Sequence, residues 1–137
     1  MKVECFEDLR VYQDSFEAAM RIFEASKDWP KSEKYSMTDQ IRRSSRSVCA
    51  NTSEAWFKRS YPKYFASKLN DPTSEAAETI TWLRFAERCD YMRSDDAQAL
   101  RDEYQKIIGG LVKMLTHPEK WCDTDRLHEP PAPYDTD

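Results

Sequence analysis

The sequence predicts an all-α protein: an up-down-up-down four-helix bundle whose third helix is kinked or broken near Pro72. Three observations carry this. Only two glycines occur in 137 residues, adjacent at Gly109–Gly110, so tight turns are scarce and long helices are favoured. Apolar residues recur at helical spacing through four long segments. Aromatic residues make up 12% of the chain, against the composition of disordered segments, although 34% of residues are charged. A chain of this length forms one domain and buries roughly two-thirds of the surface it exposes when unfolded.

The first helix is expected from about Asp8 to Trp29, just ahead of Pro30. Its main apolar stripe is Leu9, Tyr12, Phe16, Met20 and Phe23. A second stripe, Val11, Ala18, Ile22 and Trp29, lies to one side. Together they are wider than one buried face requires, which marks this helix as a candidate partner surface.

The second helix begins near Ser36, where Ser36-Met37-Thr38-Asp39 resembles a capping box with Asp in place of Glu, and runs to about Lys58. At about 100° per residue, Ile41, Ser45, Val48, Thr52 and Ala55 share its core side. Arg42, Arg43 and Arg46 fall on the other side with Cys49, Ala50 and Ser53. Small residues there would let another backbone approach closely. Glu54 precedes Lys58 by one turn in the favourable orientation for an ion pair and lies one turn from Asn51. Asn51 and Glu54 therefore read as a structural polar pair.

The third helix starts near Ser60-Tyr61-Pro62, with proline suited to a first turn, and carries Phe65, Leu69, Ala76, Ile80, Leu83 and Ala86 to about Cys89. Pro72 removes a backbone donor and clashes with the preceding turn, so a break is expected at residues 70–73, with Asp71 placed to cap the restart. The fourth helix follows a turn at Asp90–Arg93, with Ser94 as its cap. It uses Ala97, Leu100, Tyr104, Ile107, Ile108, Leu111 and Leu115. Its glycine pair costs roughly 1 kcal/mol per residue in propensity, which implies close approach of a neighbouring helix.

Residues 117–137 hold four of the seven prolines and six acids against two bases. They read as a solvated tail beyond a bundle domain of residues 1–116, with Trp121 as its docking residue.

Charge is unevenly placed. Residues 42–68 contain seven bases (Arg42, Arg43, Arg46, Lys58, Arg59, Lys63 and Lys68) and one acid, so this segment is +6 in a chain of net charge −4. Trp56, Phe57, Tyr61, Tyr64 and Phe65 are interleaved with it. Cations among rings suit phosphate pairing and base stacking, making Arg42, Arg43, Arg46, Lys58, Arg59 and Lys63 candidate nucleic-acid contacts. The same arginines would equally serve a subunit interface, paired with acids of a neighbouring copy.

Nothing points to catalysis. There is no glycine-rich phosphate loop, no paired-carboxylate motif and no HExxH. His117, Cys122 and His128 match no zinc spacing, so neither a metal nor a cofactor is expected. Cys5, Cys49, Cys89 and Cys122 form no CxxC pair and read as reduced thiols. No stretch approaches the ~18 apolar residues of a membrane span and no signal peptide is evident, so the expected location is the cytoplasm.

FEDLRVYQDSFEAAM followed by SMTDQIRRSSRSVCANTSEAW resembles the bacterial four-helix-bundle family of large-subunit rRNA intervening-sequence proteins. The accessory variability determinant proteins of diversity-generating retroelements are similar to that family. The shared pattern is F-x-x-L-x-V-aromatic, then L-T-x-Q-I-R-R-A-x-x-S-I-x-A-N-I-x-E-G, then a third helix ending in L-G-Y. Phe6, Leu9, Val11 and Tyr12 match the first element. Thr38, Gln40, Ile41, Arg42, Arg43, Ser47, Val48, Ala50, Asn51 and Glu54 match the second, and Cys89-Asp90-Tyr91 stands at the third. Ser44, Thr52 and Ala55 depart from the usual alanine, isoleucine and glycine, and Pro72 and Ser74 fall where A-x-G is usual. The resemblance covers about residues 5–116. It implies a bundle that assembles into a ring-like homopentamer. For the retroelement branch it implies binding of RNA or DNA through basic surfaces and partnership with a reverse transcriptase.

Overall fold

The structure, a computed structural model, describes residues 3–122. Five α-helices appear in order: α1 Arg10–Ser26, α2 Met37–Trp56, α3 Pro62–Lys68, α4 Asn70–Arg88 and α5 Ser94–Thr116. The four long ones pack cyclically, α1 on α2, α2 on α4, α4 on α5 and α5 back on α1. Cross-links show that neighbours run antiparallel. Arg42 near the start of α2 meets Ser26 at the end of α1, Ser44 of α2 meets Thr79 of α4, and Arg101 of α5 pairs with Glu87 of α4. This is the up-down-up-down bundle that the sequence predicts. Among the described residues no helix is long and apolar enough to cross a membrane.

The face of α1 that enters the core is Val11, Ser15, Ala18, Ile22 and Ser26. The expected ranking of its two stripes is therefore reversed. Of the main stripe only Leu9 is buried, while Phe16 and Met20 remain 47% and 44% exposed. The reason lies in two serines that an apolar count misses. Ser15 and Ser26 are buried, and each hydroxyl donates to the carbonyl three residues back, of Tyr12 and Phe23 respectively. A hydroxyl satisfied within its own helix is inexpensive to bury and takes little room.

The same device recurs on α2 and α4. Ser44, Ser45, Thr52 and Thr79 are buried, and Ser44 and Thr79 share a hydrogen bond of 2.8 Å between their helices. Ser45 and Thr52 donate to the carbonyls of Arg42 and Val48. Cys49, expected outside with the arginines, is buried instead: it lies at the α1 edge of the core side, 3.1 Å from Ser15 Oγ. Burial pushes its thiol pKa up, with the Ser15 hydrogen bond opposing.

The third segment breaks as expected, but at Leu69, between α3 and α4. Pro72 cannot donate to the carbonyl of Lys68, and its ring crowds that carbonyl, so the helix parts at the next residue. Leu69 stays helical in φ and ψ, and Thr73 donates both its amide (3.4 Å) and its hydroxyl (2.8 Å) to Leu69 O. Asp71 does not cap the restart; its carboxylate takes a hydrogen bond from Lys68. Two other expected caps also differ. The Ser36 hydroxyl donates to Glu33 and accepts from no α2 amide, and Ser94 lies inside α5, whose N-cap is Arg93.

Where α4 ends, Asp90 has φ of 61°, in the left-handed region. Tyr91 N donates to Ala86 O at 2.9 Å and Asp90 N to Glu87 O at 3.1 Å, a Schellman closure. Asp90 thus occupies the glycine position of the L-G-Y pattern because the backbone there turns left-handed. Tyr91 then donates to Glu33 at 2.8 Å and lies against the Trp29 ring, fastening this end of the bundle to the α1–α2 connection.

The glycine pair divides in role. A Cβ on Gly110 would lie 2.6 Å from Val11 Cγ1, so α5 approaches α1 there as expected, whereas a Cβ on Gly109 would meet nothing within 4 Å. Beyond α5, Trp121 is half-buried and packs against the core, while a short helical turn at Pro118–Lys120 rests on α3. Among the described residues, packing against the core therefore continues past residue 116. The rest of the expected tail, with His128, lies outside the described residues.

Two measurements follow in chemical denaturation. Asp90→Gly should stabilise the fold by about 1 kcal/mol, by removing the cost of a left-handed non-glycine residue. Gly109→Ala should stabilise by roughly 1 kcal/mol and Gly110→Ala should destabilise by about 1–3 kcal/mol, because Val11 is buried and stiff at χ1. Equal effects at the two glycines would contradict the α1–α5 approach.

Candidate nucleic-acid interface

A helix rises about 1.5 Å per residue, so Arg42 and Trp56 stand about 21 Å apart along α2. The candidate cations are spread over that length and around its end, and the structure sorts them into three groups.

Arg42 and Arg46 face α1. Arg42 Nε donates to Ser26 Oγ at 2.8 Å, and its guanidinium lies 4.8 Å from the centroid of the Phe23 ring. Arg46 lies 5.7 Å from the same ring. Both contacts hold guanidinium groups against α1 by cation–π attraction. Beside them runs a groove of about 370 Å³ lined by Tyr12, Phe16, Met20 and Phe23 on α1 and by Arg46, Ala50 and Ser53 on α2. Nearly all of this lining is apolar or small, so the groove suits an apolar side chain better than a phosphate. The sequence marks its aromatic wall as a stripe, and marks Ala50 and Ser53 as small outward residues. It gives no sign that the two face each other across a groove.

Arg43 is separate. It is exposed on the side away from α1 and acts on Glu75 of α4. Burial raises the Glu75 pKa, repulsion from Glu78 adds to the rise, and the Arg43 charge partly offsets it.

The third group stands at the opposite end of α2, where the helix stops at Trp56. Lys58 and Lys63 are exposed, and among the described residues neither has an ion-pair partner. Arg59 stacks on Trp56, 3.4 Å from the ring centroid, and its Nε donates to Trp56 O at 2.8 Å. Phe57, Tyr61 and Tyr64 are all exposed in the same eight-residue stretch, 57–64, which carries three bases and no acid.

Asn51 and Glu54, expected as a polar pair, are bridged by a third side chain. The expected Glu54–Lys58 pair does not form, because α2 ends before Lys58 and its side chain leaves the helical register. Lys68 of α3 takes that place, donating to Asn51 Oδ1 at 3.2 Å and to Asp71 at 2.8 Å, with Glu54 at 3.6 Å. Its pKa is raised, first by the Asp71 hydrogen bond and against the effect of burial. Lys68 thus joins α2 to the α3–α4 break, a structural cation like Arg42 and Arg59.

A more open cleft of about 570 Å³ lies between α1 and the α4–α5 turn. Its charged lining, Arg21 and Arg93 with Glu24, Asp28 and Asp96, has mixed sign and does not favour a polyanion. Among the described residues no three His, Cys, Asp or Glu side chains come together as a metal-binding group.

The profile of the family described as 23S rRNA-intervening sequence protein matches residues 7–113. Among solved structures, the chain is similar to a protein of unknown function from the S23 ribosomal protein family of Bacteroides thetaiotaomicron, at 31% identity and a TM-score of 0.69. That likeness covers 77% of this chain and 95% of the other. No curated protein gives a significant match.

Lys68→Ala should lower stability by about 1 kcal/mol, since it strands Asn51 and Asp71, whereas Lys58→Ala should stay within about 0.5 kcal/mol of the parent. Urea midpoints of the two variants check the distinction between a structural and an uncommitted lysine.

Proposed function

The chain belongs to the family of 23S rRNA-intervening sequence proteins, and from that premise we propose that it works as a non-enzymatic, homo-oligomeric helical bundle that binds nucleic acid or a ribonucleoprotein. The observation that carries the proposal is the division of its surface. Apolar side chains line the α1–α2 groove, and Lys58 and Lys63 stand at the end of α2 that adjoins it through Phe57, Phe6 and Tyr12.

The groove supports self-association. Phe16 and Met20 are half-exposed on a helix whose opposite face is already buried, and Ala50 and Ser53 permit close approach. Arg42 and Arg46 border that groove, which favours their serving the subunit contact. The resemblance to the family implies five subunits in a ring. Repetition around such a ring would multiply the basic ends, and several phosphates held at once give tight, salt-sensitive binding.

Binding rather than catalysis is also supported by where the perturbed carboxylates lie. Asp8 is held low by the amides of Glu4 and Cys5, Glu33 by Ser36 and Tyr91, and Glu87 by Arg101 and Ser94. Each of these three shifts belongs to a cap or an inter-helix tie, and the fourth perturbed carboxylate, Glu75, is raised chiefly by its burial on α4 beside Glu78. The similarity to accessory variability determinant proteins extends the proposal to a reverse transcriptase as partner.

The second reading is a protein-interaction scaffold with no nucleic acid, favoured by the engagement of Arg42 and Arg46 with α1. Light scattering after sizing, combined with RNA retention, separates the two. The Lys58→Glu/Lys63→Glu double variant should remain oligomeric and lose RNA. Arg42→Glu/Arg46→Glu should dissociate the oligomer. A wild-type monomer at micromolar concentration, or binding unaffected by salt, would overturn the proposal.

A further inference from the structure

Resting on the nucleic-acid reading above, we infer that the 57–64 end of the bundle is a stacking platform for unpaired bases, so that the ligand is single-stranded. Its components are Phe57, Tyr61 and Tyr64 with Lys58 and Lys63. Phe57 is 74% exposed and Tyr64 66% exposed, values that leave most of each ring available to a ligand. Tyr61 and Tyr64 meet edge to face at 5.8 Å, and Phe57 meets the half-buried Phe6 edge to face at 6.1 Å. Each edge-to-face contact braces its two rings and covers one face of one of them, so every ring keeps at least one face clear of these contacts. The backbone beneath them is also held. Tyr61 N donates to Lys58 O at 3.1 Å and Phe65 N to Tyr61 O at 3.0 Å, while Phe65 itself is fully buried.

Charge decides between this ligand and a protein. Three exposed aromatic side chains alone would suit either. Within residues 57–64 there is no acid, and Lys58 and Lys63 have no ion-pair partner among the described residues. A backbone of phosphates satisfies both ammonium groups while its bases cover the rings, the combination on which sequence-tolerant single-strand binding rests. A duplex offers phosphates but keeps its base faces stacked internally, so it would leave the rings exposed to water. Single strands should therefore bind better than duplexes of the same length.

The test uses the full chain, a labelled oligo-uridine RNA, and an RNA duplex of equal length, with anisotropy read at several salt concentrations. Wild type should prefer the single strand by about tenfold or more. Phe57→Ala and Tyr64→Ala should each weaken it by about tenfold and change duplex binding little. Tyr64→Phe should retain the wild-type affinity, because stacking needs the ring and not the hydroxyl. Phe85→Ala, an exposed ring on α4, serves as the control. Lys58→Ala/Lys63→Ala should lower the log–log salt slope by about 1.4 for each subunit engaged. Equal affinity for strand and duplex, unchanged in Phe57→Ala and Tyr64→Ala, would overturn the stacking platform and leave the nucleic-acid reading intact. Retention of neither RNA at low salt would overturn both. Dissociation of the oligomer in Phe57→Ala or Tyr64→Ala would assign the rings to a protein contact and overturn the platform.

Discussion

Helices of this bundle approach one another through small hydroxyl side chains. Ser15 and Ser26 on α1, Ser44, Ser45 and Thr52 on α2, and Thr79 on α4 are all buried. A buried hydroxyl without a partner would cost about 1–3 kcal/mol, enough to forbid such a core if repeated. Here five of these six hydroxyls donate to a carbonyl three or four residues back in their own helix, and the sixth, Ser44, donates to Thr79 Oγ1 at 2.8 Å in preference to its longer 3.4 Å contact with Ile41 O. Local satisfaction makes each helix a finished unit before it packs, and the packed helices then lie close. Gly110 extends the same principle to α5, where even a methyl group would collide with Val11.

The inward face of α1 has a consequence for the surface. With Val11, Ser15, Ala18, Ile22 and Ser26 turned inward, Phe16, Met20 and Phe23 come to lie on the flank of α1. These side chains become the wall of the α1–α2 groove, and Phe23 becomes the seat for Arg42 and Arg46. The arginines and the apolar groove are thus parts of one arrangement. At the far end, α2 stops at Trp56 and the chain turns through residues 57–61 into α3. Lys58 and Lys63 stand at that end, which a row of ring contacts from Phe57 through Phe6 to Tyr12 and Phe16 joins to the groove wall.

Much of this was legible. Helix number, order and handover points follow from periodicity, two glycines and the placement of proline, since those features act over a few residues. The break near Pro72 was readable because a missing donor is a local fact. Even Asp90 could be located, as a non-glycine residue standing where the resembling pattern has glycine. The capping hydroxyls of Ser36 and Ser94 were less legible. Each sits at a helix start, but Glu33 takes up the Ser36 hydroxyl, and whether a carboxylate lies within reach is decided by the chain beyond the cap.

The sequence by itself determined which segments are helical, that they are long enough to bundle, and that positive charge gathers between Arg42 and Lys68. These depend on residue type and spacing along one strand of backbone. Only the tertiary structure decided which stripe of α1 faces inward, that Glu54 meets Lys68 and not Lys58, and that one run of cations divides among a groove, an outer face and a helix end. Those outcomes depend on which surfaces fit closely together. A serine whose hydroxyl is already bonded to its own helix fits as a core residue does, and nothing in its chemical identity along the chain announces that.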